Sequence, residues 1–316
     1  MKKKIFLVML ILTVIALLTA CTQSQAPEQP NETSEDKLST LPTTDRAGNE
    51  ITVPKEIKKI ISMSPSNTEI LIDLGFGDKI IAADTYSADI PGLPENIQFF
   101  DMMTPDVEKL IALEPDVIYA TGMSMKDGND PYKPVKNMGI CLAYIPSSDS
   151  IEGIYEDILF IAESLNVTDK GYELISDMET KIAEIKEIGL TIKEKKTVYF
   201  EIAGAPELYS FGKGVFLNEM IEIIGAENLL SNEEKWISVT DEAIVAANPD
   251  IILTNVDYIE NAVDEIKSRA GWENVTAIKN NDVYYIDKDA SSLSNHNIVK
   301  ALQQMAEAVY PEIYLK

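Results

Sequence analysis

The chain has 316 residues, 52 of them acidic and 27 basic, for a formal net charge of −25. Such an excess of negative charge excludes nucleic acid, whose phosphates demand clustered cations, and an anionic membrane surface as the main docking site. Apolar residues make up 45% and charged residues 25%, the mix of an ordinary globular protein with room for about two domains. Met1-Lys-Lys-Lys4 is a cationic start, and Ile5 to Leu18 is almost wholly apolar, about 14 residues. That length suits a signal peptide and is short for a membrane span of about 20 residues. Leu18-Thr19-Ala20-Cys21 follows and resembles the bacterial lipobox, in which the cysteine thiol is linked to diacylglycerol. Residues 1–21 are therefore read as a lipoprotein signal peptide with Cys21 as the lipidated residue. Residues 22–43 are rich in Gln, Glu, Pro, Ser, Asn and Thr and have little to bury, which predicts a disordered tether. Anchor, tether and body together predict a protein held at the cell membrane on its extracytoplasmic face. Cys141, in the apolar run 139–145, is then the only thiol of the body and reads as a buried structural residue.

From Thr44 onward short apolar runs alternate with helical patterns. Lys59–Ser62, Lys79–Ala83, Asp116–Ala120 and Ile140–Ile145 read as buried strands, separated by helical segments at 68–74, 106–113 and 132–138. The pattern restarts with strands at 197–201, 250–254 and 282–286 and helices at 216–224, 241–247, 262–269 and 297–309. Strand and helix in alternation predict parallel sheets covered on both faces. Between the blocks, Ile175, Met178, Ile182, Ile185 and Ile188 recur at helical spacing with no proline. The reading is an α/β protein: a lobe at 44–167, a linker helix at 168–190 and a second lobe at 191–316, each lobe with a central parallel-type sheet.

The two blocks repeat one another. Thr104 to Ile118 parallels Ser238 to Ile252, so that Glu108 falls on Glu242, Pro115 on Pro249 and Asp116 on Asp250, each 134 residues apart. Pro-Asp is what a turn from helix to strand can use anywhere. An acid early in a helix is also favoured by the helix dipole. Two matching acids, one on each lobe, are nonetheless what a two-point docking surface needs.

Several segments now resemble one family. Thr44 to Pro54 looks like the opening hairpin of the periplasmic binding proteins for iron-siderophore complexes, haem and vitamin B12. Ile60 to Ile70, with Ser64-Pro-Ser-Asn-Thr-Glu69, looks like that family's first strand and helix and leans toward its cobalamin-binding branch. Thr104–Ala120 and the stretch from Phe211 to Asn228 resemble further hallmarks. The resemblance implies two Rossmann-like lobes joined by one long helix, the class III architecture, with the ligand between the lobes. It implies a monomeric, lipid-anchored receptor of an ABC importer, whose partner is a permease dimer with its ATPase. It also assigns Glu108 and Glu242 to permease docking, and it implies no catalysis and no resident cofactor. The cargo would be a metal chelate, a cobalt corrinoid or an iron complex.

Open α/β sheets bind ligands at the carboxyl ends of their strands. Candidate ligand-binding residues are therefore Tyr86, Thr121 and Met123 in the first lobe. In the second they are Tyr209, Trp236, Asn255, Ser291 and His296. By resemblance, aromatic residues at positions like Tyr86, Tyr209 and Trp236 pack on a corrin, whose flat ring suits such faces. His296 is a candidate axial ligand or a hydrogen-bonding surface residue. Many family members have an arginine where this chain has Asn295-His-Asn297. Its only arginines, Arg46 and Arg269, are expected away from the cleft. That disfavours tri-anionic catecholate siderophores, whose oxygens suit clustered arginines, and leaves a corrinoid or a hydroxamate siderophore. One histidine also excludes the many-histidine sites of zinc receptors. No nucleophile elbow, zinc-protease helix or phosphate loop is present, which argues against an enzyme.

Overall fold

The computed structural model describes residues 41–125 and 129–315. Cys21, the signal segment and most of the expected tether lie outside these residues. The tether does not extend to Thr43 as expected. Leu41 already packs on the core, and the Thr43 carbonyl accepts the Ile51 amide at 2.9 Å.

The first sheet contains β1 (Ile60–Met63), β2 (Ile80–Asp84), β3 (Gln98–Phe100), β4 (Val117–Ala120) and β5 (Cys141–Tyr144). Its order is β3-β2-β1-β4-β5, and every pair is parallel. β1, β4 and β5 are buried at every residue, which is why they read as unbroken apolar runs. Successive side chains take opposite faces. Ile61, Ile118 and Leu142 join one core under α2 (Val107–Ala112) and α3 (Lys133–Asn137), with Leu110 and Val135. Ile60, Val117 and Cys141 face another. The thiol of Cys141 is buried as expected, and burial pushes it up to about 11.

The second sheet has the order β11-β10-β6-β8, from β6 (Thr197–Glu201), β8 (Glu227–Asn228), β10 (Ile251–Thr254) and β11 (Val283–Tyr285), again all parallel. An antiparallel ribbon of β7 (Tyr209–Phe211) and β9 (Trp236–Ser238) stands apart from it. In each sheet the first strand is central, and the chain crosses to its other side through one helix: α2 before β4, and α7 (Asp241–Ala247) before β10. The sequence repeat is therefore a structural repeat, and the two switch points, β1/β4 and β6/β10, correspond.

Between the sheets run α4 (Ile151–Ser164) and α5 (Thr168–Gly189). The 22 residues of α5 span about 33 Å at 1.5 Å each. α5 buries Gly171, Met178 and Ile185 on one side. At its start Lys170 Nζ donates to the Leu74 carbonyl, the C-cap of α1 (Pro65–Asp73), at 2.8 Å. At its end Gly189 meets α6 (Phe216–Ile223) so closely that a Cβ there would lie 2.2 Å from the Ile223 carbonyl oxygen. One continuous core joins Val117 of the first sheet, Ile158 of α4, Ile185 of α5, Met220 of α6 and Leu253 of the second sheet. No helix among the described residues is long and apolar enough to cross a membrane.

Candidate functional site

A cavity of about 310 Å³ lies at the carboxyl edge of the first sheet. Every strand of that sheet contributes from the segment that follows it. Ser64, Pro65 and Ser66 come after β1, Tyr86 after β2, Met102 and Met103 after β3, Met123 after β4, and Ser147 after β5. Glu69 on α1 completes this wall. The opposite wall is α10 (Lys288–Ser292), which offers Lys288, Asp289 and Ser292, with Leu293 beyond it. The first wall is therefore rich in thioethers and has one aromatic face, and the second is polar.

Two short capped turns aim the exposed residues. Asp84, at the end of β2, accepts the Tyr86 amide at 2.8 Å and a short hydrogen bond from the Ser87 hydroxyl. Burial pushes the Asp84 carboxyl up, opposed by those hydrogen bonds. Thr121 ends β4 in the same way, its Oγ1 accepting the Met123 amide at 3.4 Å. Tyr86 and Met123 are 72% and 52% exposed, whereas Thr121 is buried and acts through the turn it caps.

The expected residues of the second lobe are placed differently. Asn255 and Ser291 are buried, and neither lines the cavity. Asn255 Nδ2 donates to Ser291 Oγ at 3.0 Å and to Ser292 Oγ at 3.1 Å. Ser291 Oγ donates to the Asp287 carbonyl at 2.7 Å. These bonds orient α10, which presents Ser292 to the cavity. His296 is buried outside the lining, with Nε2 2.5 Å from Asp73 Oδ2 on α1. Neither ring nitrogen has a hydrogen-bond partner among the described residues. Tyr209 and Trp236 sit on the β7–β9 ribbon, half exposed, and neither lines the cavity. The ring of Trp236 stands edge-on to Phe211 at 5.8 Å.

The cavity residues that sequence reasoning missed include Glu69, Met102, Met103, Ser147, Lys288 and Asp289. Glu69 lay within the motif that carried the resemblance. The methionines follow β3, a three-residue edge strand, Gln98-Phe-Phe100, too short to announce a strand end.

No arginine reaches the cavity. Arg46 donates to Asp157 Oδ1 at 2.7 Å and pairs with Glu156 at 2.7 Å. Arg269 forks onto both oxygens of Glu201 at 2.7 Å and holds Glu265 at 2.6 Å. Lys288, the single cation of the lining among the described residues, pairs with Asp257 at 2.9 Å.

The repeat resolves into two parts. Asp116 Oδ2 accepts the amides of Lys58 and Lys59 at 2.7 and 2.9 Å. Asp250 Oδ2 accepts the Thr197 amide and hydroxyl, both at 2.9 Å. Each aspartate thus clips the start of the central strand of its sheet. Glu108 and Glu242, in the first turns of α2 and α7, are exposed. Neither has a hydrogen-bond or ion-pair partner among the described residues.

Known proteins share this architecture. The family model described as "Periplasmic binding protein" matches residues 60–290. An ABC transporter substrate-binding lipoprotein of Bacillus subtilis, YvrC, is 32% identical over 321 residues, covering 99% of each chain. The chain belongs to the periplasmic-binding-protein family. A cobalamin-binding protein of Halobacterium salinarum is 20% identical over 317 residues, covering 96% of this chain and 84% of its own. A crystal structure described as a possible iron-binding, periplasmic solute-binding protein of Staphylococcus epidermidis matches with a TM-score of 0.72 and 29% identity. That match covers 81% of this chain and all of the other. The chain is thus the substrate-binding protein of an ABC importer, with the class III fold, a role that implies a permease and an ATPase as partners. Its family consists of solute-binding proteins, so it is not an enzyme.

Proposed function

We infer that this receptor captures a cobalt corrinoid outside the membrane and delivers it to the permease. The observation that carries this reading is the charge of the cavity. Among the described residues its lining holds Glu69 and Asp289 against one lysine already paired, and both arginines are spent elsewhere. Anionic ferric chelates demand the opposite sign. A corrin asks for apolar faces and hydrogen-bonding groups at its rim, which the methionine wall, Tyr86 and α10 supply. The likeness to the cobalamin-binding protein of Halobacterium salinarum supports the same reading. A ferric hydroxamate or haem is the second reading, favoured by the iron-binding description of the Staphylococcus epidermidis structure.

Titration calorimetry with cyanocobalamin, cobinamide, haemin and ferric hydroxamates tests the choice. Corrinoid binding at micromolar or tighter affinity is expected. Tyr86→Ala should weaken it about 5- to 10-fold, the loss of one aromatic face worth about 1–1.4 kcal/mol. Heat with a ferric hydroxamate and none with a corrinoid would install the second reading. Tyr209 and Trp236 are proposed as outer contacts of a ligand larger than the cavity, beyond its lining. Asn255, Ser291 and Thr121 are proposed as supports of the cavity walls. His296 is proposed as a residue of the seam beside Asp73.

Docking on the permease is assigned to Glu108 and Glu242, one per half, each free to meet a cation. Close, desolvated charge pairs across an interface are worth about 1.5–7 kcal/mol. The double variant Glu108→Ala, Glu242→Ala should therefore abolish uptake while ligand affinity in solution stays within about twofold. Normal transport by that variant would remove the assignment. Cys21 is assigned to lipidation and thus to anchoring on the extracytoplasmic face. Fatty-acid labelling should be lost in Cys21→Ala, and a wild-type protein without lipid would refute it.

A further inference from the structure

Glu69 stands where the two halves and the cavity meet. It lies on α1 and lines the cavity. Its Oε2 accepts Asn295 Nδ2 at 2.5 Å and Asn297 Nδ2 at 3.0 Å, both from the second half. Its Oε1 has no hydrogen-bond partner among the described residues. Two neutral amides thus fix the orientation of the carboxylate without cancelling its charge. The cations around it are engaged elsewhere: Lys288 of the lining is bound to Asp257, and Lys300, which feels the Glu69 charge, donates to Asp287 at 2.6 Å.

We propose that Glu69 is a specificity-determining residue: its free oxygen takes a hydrogen-bond donor on the rim of the ligand and turns away rims that carry carboxylates. The inference rests on the corrinoid reading and names what separates a corrin from its rivals. A corrin rim bears carboxamides, whose N–H groups donate to a carboxylate in a charge-assisted bond. Haem and ferric citrate bear carboxylates, which at this place would be desolvated against a like charge. A glutamate held by arginine would be neutralised and would not discriminate in this way. Held by asparagines, it keeps its sign.

The test uses cyanocobalamin and its separated monocarboxylic acid isomers, in each of which one rim carboxamide is hydrolysed. Binding to the intact protein is read by calorimetry. At least one isomer should bind about tenfold more weakly than cyanocobalamin, the loss of one charge-assisted hydrogen bond. In Glu69→Gln that isomer should regain most of the difference, because the amide side chain both accepts and donates. Glu69→Asp, which keeps the charge, should preserve the preference. The comparison of isomers on the wild-type protein needs no variant to fold. If every isomer binds wild type as tightly as cyanocobalamin, or if Glu69→Gln leaves the ratio unmoved, the inference is overturned while the corrinoid reading stands. If wild type binds no cobalamin at all, the corrinoid reading falls and takes the inference with it.

Discussion

Each half of the protein contains one arginine and uses it on a buried acid, but the two arrangements differ. In the second half, Arg269 is 7% exposed and grips Glu201, which is 1% exposed, through two parallel bonds. In the first half, Arg46 is 25% exposed and reaches Asp157 through one. Asp157 has a second donor, Ser148 Oγ at 2.5 Å. Among the described residues, Glu201 has only Tyr199 OH at 3.3 Å besides its arginine. Burial pushes both carboxyls up and each arginine opposes the rise. The difference teaches that the same residue type supports one half by necessity and the other by reinforcement.

The largest expected effect follows from that contrast. Arg269→Met should cost about 3–5 kcal/mol, because it leaves a buried charge without its partner. Arg46→Met should cost less, since its site is wetter and Asp157 keeps Ser148. Urea unfolding of the two variants checks the order, and equal losses would break the comparison. The Arg269→Met loss should also depend on pH. Without its partner the folded value of Glu201 rises further above the unfolded one, so the native state binds the proton more tightly. The loss is then full at neutral pH and shrinks as the pH falls through that raised value. A loss that grows on acidification would contradict this account.

The aspartate clips give a middle-sized effect. Asp250 takes an amide and a hydroxyl, and Asp116 two amides. Alanine at either place should cost about 1–3 kcal/mol by leaving donors unmet. Thermal melting should show similar losses if the repeat is mechanically equivalent in both halves.

The smallest effect sharpens the repeat itself. Glu114 and Asn248 occupy matching places after α2 and α7, with φ of 52° and 53°. Asparagine adopts the left-handed region at less cost than glutamate. Glu114→Asn should therefore stabilise the protein by about 0.5–1 kcal/mol. Its exposed approach to Lys59, 3.8 Å, is worth little. A fall in melting temperature would show that Glu114 has another task.

Much of this was legible in the sequence for a physical reason. β1, β4, β5, β6 and β10 are β-branched or apolar runs buried on both faces, and such runs have few other readings. α4 also announced itself, with Ser150 as its cap and Ile151, Ile154, Ile158 and Ile161 at helical spacing, although the sequence reading left it out. β3, β8 and the β7–β9 ribbon were not legible, because two or three residues carry no period. Within the site, residues just past long strands, such as Tyr86 and Met123, were within reach of the strand-end rule. Asn255 also follows a strand, and Ser291 and His296 lie in and just beyond α10, yet the side chains of all three turn inward. Only tertiary packing decides that.

The two tryptophans have a consequence for optical work. Trp272 is 1% exposed, and its indole N–H donates to Asp241 Oδ1 at 2.8 Å, in the first turn of the helix that carries Glu242. Trp236 is 39% exposed and follows Lys235, which reaches across to Asp149 at 2.8 Å. The chain thus holds one shielded emitter bonded to the helix of Glu242 and one solvent-facing emitter beside the seam. A soluble quencher should silence the second and spare the first. Changes at the Glu242 helix and events at the seam can then be followed separately, in the native protein, without a dye.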